Sequence, residues 1–304
     1  MTADSGTTNP TPLTRTASAH SAGASAEAGA TAMVGGAHIH YTDIGAADAP
    51  AVVFSHGNLM DASMWAPQLA HLSGYRRIAW DARLHGHTRD DGLPYTYWRS
   101  ARDLLGLLDH LGIERATLIG HSQGGFVALR AALLAPHRIA GLVLIDTMHT
   151  AWPAPALEQM GQVRDLFAAA GGEAVAPILL PLLLARPEHH PHWGARWGTH
   201  SRERHAAAVH VLMGVDDLSA RIAQITAPAL VIHGEHDQPV PLPAAQALAA
   251  ALPGAREPIV IPGAGHTPSL THPHPVNLAL AAFLAELPAG PEVLQSRGGV
   301  GGLA

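Results

Sequence analysis

The sequence predicts an α/β fold built on a mostly parallel central sheet of about eight strands flanked by helices on both faces. Two observations carry this. Short apolar runs at 51–55, 76–80, 116–120, 141–146, 229–233 and 259–261 alternate with stretches of helical periodicity. In the middle of the chain, Gly120-His121-Ser122-Gln123-Gly124 joins one such run directly to a helical pattern. Glycines on both sides of Ser122 let the backbone turn too tightly for side chains, which pushes the serine hydroxyl up at a strained corner.

Composition narrows the class. Of 304 residues, 47% are hydrophobic and 14% charged, enough apolar material for a sizeable core. No apolar run reaches the roughly 18 residues that a membrane span requires. The formal net charge is −6 with no basic block, which argues against nucleic acid as a partner. Cysteine is absent, which removes disulfides, thiolate metal sites and a cysteine nucleophile. All 18 Lys+Arg residues are arginine, so Schiff-base chemistry and a P-loop lysine are excluded as well. Residues 1–32 are rich in Ala, Ser, Thr and Gly and are expected to form a disordered leader. They lack the charged and apolar regions of a secretory signal, so a cytoplasmic location is expected. The Gly/Pro-rich stretch 288–304 is expected to be a flexible tail.

In chain order, 37–43 alternates as a strand, with His38 and His40 on one face and no carboxylate placed to share a metal with them. The run 51–55 leads into His56-Gly57-Asn58-Leu59-Met60. A helix over 63–72 and a strand over 76–80 follow, then Asp81-Ala-Arg-Leu-His-Gly-His-Thr88. Residues 97–111 make a strongly amphipathic helix with Leu104, Leu105, Leu108 and Leu111 along one face, and Gly112 is suited to end it. Beyond the strand at 141–146 the pattern loosens, with prolines at 153, 155, 177, 181, 187 and 191 between short helical stretches. Helices over 242–252 and 275–287 close the domain. The histidines at 189, 190, 192, 200 and 205 match no metal-ligand spacing, and neither a metal nor a Rossmann-type cofactor is expected.

Taken together, the His56-Gly57 loop, the Asp81–Thr88 loop, the Ser122 pentapeptide and Gly263-Ala-Gly-His266 resemble the α/β-hydrolase superfamily, and the resemblance spans about residues 37–287. In the Asp81 loop this chain has Leu84 where the superfamily usually has glycine, and Thr88 where it usually has serine. Leucine adopts φ > 0 only with difficulty, which puts the usual conformation of that loop in question. Asp81 and Arg83 are expected to pair with each other and to brace the loop.

The resemblance implies an α/β-hydrolase fold with core segments 33–146 and 220–287, and a helical cap over 147–219 inserted after strand six. It also implies the chain order Ser122, Asp237, His266 for nucleophile, acid and base. Asp146, which also ends a strand, is the alternative acid. The oxyanion donors would be the backbone N–H groups of Asn58 and Gln123, and the Asn58 carboxamide is a further candidate donor. Met60, Trp98, Met148 and Trp152 are candidate pocket residues. A serine here excludes the relatives that use an aspartate nucleophile. The expected activity is hydrolysis of a small ester or lactone, with a small ester-like molecule as partner and neither nucleic acid nor membrane; the oligomeric state stays open. The alternatives are a carbon–carbon bond hydrolase or enol-lactonase of aromatic catabolism, for which Arg130, Arg164 and Arg196 could supply a cation, or a non-catalytic ligand-binding protein.

Overall fold

The computed structural model describes residues 29–288; the expectations for residues 1–28 and 289–304 lie outside this range. One eight-stranded sheet organises the chain, in the order β1-β2-β4-β3-β5-β6-β7-β8. Its strands are β1 (Ala30–Val34), β2 (Ala37–Ile44), β3 (Ala51–Ser55), β4 (Arg76–Trp80), β5 (Ala116–His121), β6 (Ile139–Ile145), β7 (Ala229–Gly234) and β8 (Ile259–Ile261). The first two strands form a hairpin, β2 pairs antiparallel with β4, and all remaining pairings are parallel. The central strands β3, β5 and β6 are buried at nearly every position because both faces of a parallel sheet are covered by helices.

Strand β1 corrects the expected leader, whose last residues Ala30–Ala32 are ordered as strand. Its sequence, Ala-Thr-Ala-Met-Val, has little to bury. Its order comes from backbone pairing with β2, in register from Ala30↔Tyr41 to Val34↔Ala37. The two-residue turn between them has φ of 55° at Gly35 and 79° at Gly36, as a tight hairpin demands.

The helices are α1 (Ala66–His71), α2 (Tyr97–His110), α3 (Gln123–Leu134), α4 (Ala154–Ala170), α5 (Gly172–Leu183), α6 (His190–Gly198), α7 (Arg202–Met213), α8 (Leu242–Ala251), α9 (Pro268–Thr271) and α10 (Pro273–Glu286). Helix α2 is capped by the Thr96 hydroxyl and buries Ala101, Leu104, Leu107 and Leu108 against the sheet. Helix α3 follows the serine turn and is buried through Ala132, which makes it the central prop of that turn. Helices α4 to α7 all lie between β6 and β7.

The loop after β4 departs from expectation. Arg83 does not pair with Asp81; it makes a bidentate bond to Asp103 on α2, at 2.6 and 2.9 Å. The Asp81 carboxylate instead accepts the backbone N–H groups of Ala62 and His87 and sits 2.9 Å from His40 Nδ1. His40 therefore does have a carboxylate partner. Leu84 does take a left-handed conformation, with φ of 65°, and its side chain is buried.

Among the described residues no helix is long and apolar enough to cross a membrane.

Candidate active site

Parallel strands leave their carboxyl ends on one edge of the sheet, and the loops that follow β3, β5, β6, β7 and β8 meet there. The sharpest turn is at Ser122, whose φ of 51° and ψ of −115° lie outside the ordinary regions for a residue with a side chain. The glycines beside it are sterically required. A Cβ on Gly120 would stand 2.3 Å from the Gly124 carbonyl oxygen, and one on Gly124 would stand 2.0 Å from that of Ser55.

Ser122 Oγ lies 3.1 Å from His266 Nε2. His266 Nδ1 donates to both oxygens of Asp237, at 3.0 and 2.9 Å. Asp237 Oδ1 also accepts the Val240 backbone N–H. Burial alone would raise the Asp237 carboxyl, but the facing imidazole and these N–H groups outweigh it and hold the group below its ordinary range. Asp146 is not on His266. It lies behind Asp237, with Oδ1 accepting the Gly234 N–H, and burial followed by the Asp237 charge pushes it well up.

His121 fastens the serine turn to the His266 loop, its Nε2 donating to the His266 carbonyl across 145 residues of sequence. Burial, with His266 beside it, lowers His121 to about 3, so the ring stays neutral. On the other side, the Asn58 carboxamide meets His85 Nε2 at 3.0 Å, which ties the loop after β3 to the loop after β4. The Gln123 side chain accepts from the Tyr97 hydroxyl at 3.3 Å.

Above Ser122 opens a cavity of about 770 Å³, well within the size of small-molecule sites. Asn58, Met60, Ser122, Met148, Trp152 and His266 all reach it. Trp98 does not. Its indole donates to Asp216 at 2.9 Å and its ring packs under Arg130 and Arg221. The far wall, which motif reading did not find, comes from Met160 and Val163 on α4, Leu179 and Leu183 on α5, and Val209 and Leu212 on α7. Among the described residues no arginine, aspartate or glutamate lines the cavity. The three arginines considered from sequence are engaged elsewhere: Arg130 on Asp216, Arg164 on Asp165 and Arg196 on Asp61.

Only one cluster among the described residues has the make-up of a cation seat, that of Asp146, His233 and Asp237. Backbone and imidazole N–H groups already point at three of its four carboxylate oxygens, so a cation would compete with donors fixed by the fold.

Comparisons with known proteins identify the family. The chain belongs to the alpha/beta hydrolase fold family, whose model matches residues 50–273. It is a hydrolase. A relative from Variovorax paradoxus, provisionally named carbamate hydrolase RutD, is 34% identical over 269 residues, covering 83% of this chain and 97% of the relative. The 2-hydroxy-6-oxononadienedioate/2-hydroxy-6-oxononatrienedioate hydrolase of Paraburkholderia phymatum is 31% identical over 277 residues, covering 82% and 91%. The structure of the enol-lactonase from Burkholderia xenovorans LB400 superposes with a TM-score of 0.77 at 29% identity, covering 84% of this chain and 100% of that one.

Proposed function

We propose that this chain is a serine hydrolase that cleaves a small, uncharged carboxylic ester or lactone. The observation that carries this is the continuous hydrogen-bonded line Ser122–His266–Asp237 at the floor of a cavity without charged lining. His266 Nδ1 carries its proton toward Asp237, which leaves the Nε2 lone pair to take the proton from Ser122. The serine oxygen then attacks the carbonyl carbon. The tetrahedral oxyanion is met by the backbone N–H groups of Asn58 and Gln123, the residue after His56-Gly57 and the residue after the nucleophile. His266 returns its proton to the leaving oxygen, which departs as an alcohol or, from a lactone, as the freed hydroxyl arm. A water activated by the same imidazole then releases the acid from Ser122.

In this reading residues 147–219 act as a cap, and its apolar side chains choose the substrate. The similarity to an enol-lactonase supports a lactone as readily as an open ester. The similarity to a carbon–carbon bond hydrolase named for a dioate substrate raises a second reading. A cavity lined by no cation disfavours a carboxylated substrate, because burying an unpaired carboxylate costs several kcal/mol (on the order of 2–7 even for a neutral polar group).

The experiment compares wild type and Ser122→Ala on p-nitrophenyl acetate and butyrate, a neutral γ-lactone and a carboxylated dienone. Turnover of the neutral substrates that disappears in the variant is the expected result. Equal rates in both proteins, or turnover confined to the dienone, would overturn the proposal.

A further inference from the structure

Behind the Ser122–His266–Asp237 line lies a second carboxyl group that the mechanism above does not use. Asp146 follows β6 directly in a left-handed conformation, with φ of 47°, and is fully buried. Its backbone N–H donates to the Ile232 carbonyl and its Oδ1 accepts the Gly234 N–H, so the residue is fixed at two points along β7. Its other oxygen, Oδ2, has no donor among the described residues. Ligand atoms of Asp146, Asp237 and His233 all lie within 4.8 Å of one another. His233 is itself buried, with Nδ1 3.2 Å from Asp146 and Nε2 3.8 Å from Asp237, and burial lowers its affinity for a proton.

Two carboxylates this close in a dry interior cannot both ionise, so one keeps a proton. The fixed donors decide which. Asp237 receives His266 Nδ1–H and the Val240 N–H, whereas Asp146 receives only the Gly234 N–H. The negative charge therefore settles on Asp237 and the proton on the orphaned oxygen of Asp146. Resting on the hydrolytic reading of this site, we propose that Asp146 is a neutral carboxylic acid whose hydroxyl donates to the Asp237 carboxylate, a positioning residue for the catalytic line. The titration tendencies point the same way: burial and then the Asp237 charge drive Asp146 up, while the facing His266 imidazole and the Val240 N–H hold Asp237 down against its own burial, and the contact between the two carboxyls adds a smaller push in each direction.

The arrangement has a chemical use. A carboxylate that accepts a third hydrogen bond is less basic and less free to rotate, so Asp237 orients the imidazole without taking its proton. The groups facing this pair are His233 and, through Asp237, His266.

The direct test is infrared difference spectroscopy of the full chain at pH 7. The wild type should show the C=O stretch of a protonated carboxylic acid, and the band should be missing from Asp146→Asn. Its absence from the wild type overturns the proposal. Kinetics on p-nitrophenyl butyrate give a second reading. Asp146→Asn, whose amide can still donate to Asp237, should lose only about fivefold in kcat, with its acid limb in place. Asp146→Leu should lose about a hundredfold and move the acid limb of the pH–rate profile upward, because His266 then faces a more basic carboxylate. An Asp146→Leu variant with wild-type rate and pH profile also overturns the proposal. If Asp146→Leu does not fold, the infrared comparison decides alone. Labelling of Ser122 by a fluorophosphonate is run in parallel. Loss of that label with the infrared band present would sink the hydrolytic reading and leave the proton-sharing pair standing.

Discussion

The loops at the sheet edge and the helical insert between β6 and β7 hold their shapes in different ways. All four described non-glycine residues with left-handed backbone, Leu59, Leu84, Ser122 and Asp146, belong to loops that follow core strands. Strained conformations of this kind cost on the order of 1–3 kcal/mol each and persist only where the surroundings leave no alternative. The insert instead rests on the core through a few polar clamps. Arg196 meets Asp61, Trp197 donates to the Leu59 carbonyl at 2.7 Å, and Arg204 donates to the carbonyls of Leu84, His85 and Thr88. Asp216, at the far end of the insert, is gripped by Arg130 and Trp98. Its contact with the cavity is mostly apolar, with Thr150 and Gln159 as polar exceptions, and Ile178 on α5 is 66% exposed. On the proposed function, the sheet-edge loops would carry the chemistry and the side chains of the insert the choice of substrate, so the second could change without disturbing the first.

The largest expected effect separates the two regions at once. Ser122→Ala should lower kcat by about 10⁴-fold or more and leave the thermal midpoint nearly unchanged, read from ester turnover and calorimetry. Gly124→Ala tests the sheet edge as a structure. Its methyl group would collide with the Ser55 carbonyl, and a loss of about 3 kcal/mol or more in denaturant unfolding is expected.

Acid should weaken both regions, by different groups. Asp81 in the core is held at about 2 against an ordinary 3.8: burial opposes its charge, but His40, His56 and the N–H groups of Ala62 and His87 prevail. A depressed carboxyl contributes stability that is present above the unfolded value of 3.8 and is lost as pH falls through about 2. The difference amounts to about 2 kcal/mol. His205 in the insert, stacked on Phe167, is lowered to about 4, chiefly by burial and then by His200. Its neutral form is favoured on folding, so its contribution is full above 6.5 and is lost as pH falls through about 4. Unfolding titrations across this range should therefore show the His205 loss first and the Asp81 loss below it. Asp81→Asn should flatten only the lower step.

Smaller effects test the clamps. Arg204→Ala removes three bonds to carbonyls and should cost about 1–3 kcal/mol of stability. It should raise KM several-fold while kcat stays within about twofold, because the insert shifts and the sheet edge does not. Smallest of all, Trp98→Phe should leave KM within about twofold, whereas Trp152→Ala, on the cavity wall, should change it clearly.

Legibility in the sequence follows the same division. The serine turn was readable because an apolar strand, two glycines and a helix must be adjacent in the chain to build it. His266 and Asp237 were readable because each follows a strand on its own loop. Trp98 could not be placed, since an indole on the first turn of a helix points wherever a distant acceptor, here Asp216, happens to stand. Asp81 and Arg83 look paired when written as neighbours, yet the turn sends one toward His40 and the other to Asp103 on α2. The cavity wall on α4 does carry a signal, Ala156, Met160 and Val163 at helical spacing, but spacing alone does not say which way an insert faces. Strand β1 was hidden because pairing, rather than its own side chains, orders it.

Three of the side chains around the cavity, Met60, Met148 and Met160, are thioethers. Their flexible, polarisable walls can adjust to substrates of different shape. The same sulfurs should make the pocket sensitive to peroxide. Conversion to sulfoxide would place up to three strong dipoles in a wall that otherwise offers mostly hydrocarbon, and would penalise a butyrate more than an acetate. Mild oxidation followed by a reductase acting on methionine sulfoxide should therefore shift and then restore the preference for chain length. The reactivity of Ser122 toward a small phosphonate should stay unaltered throughout.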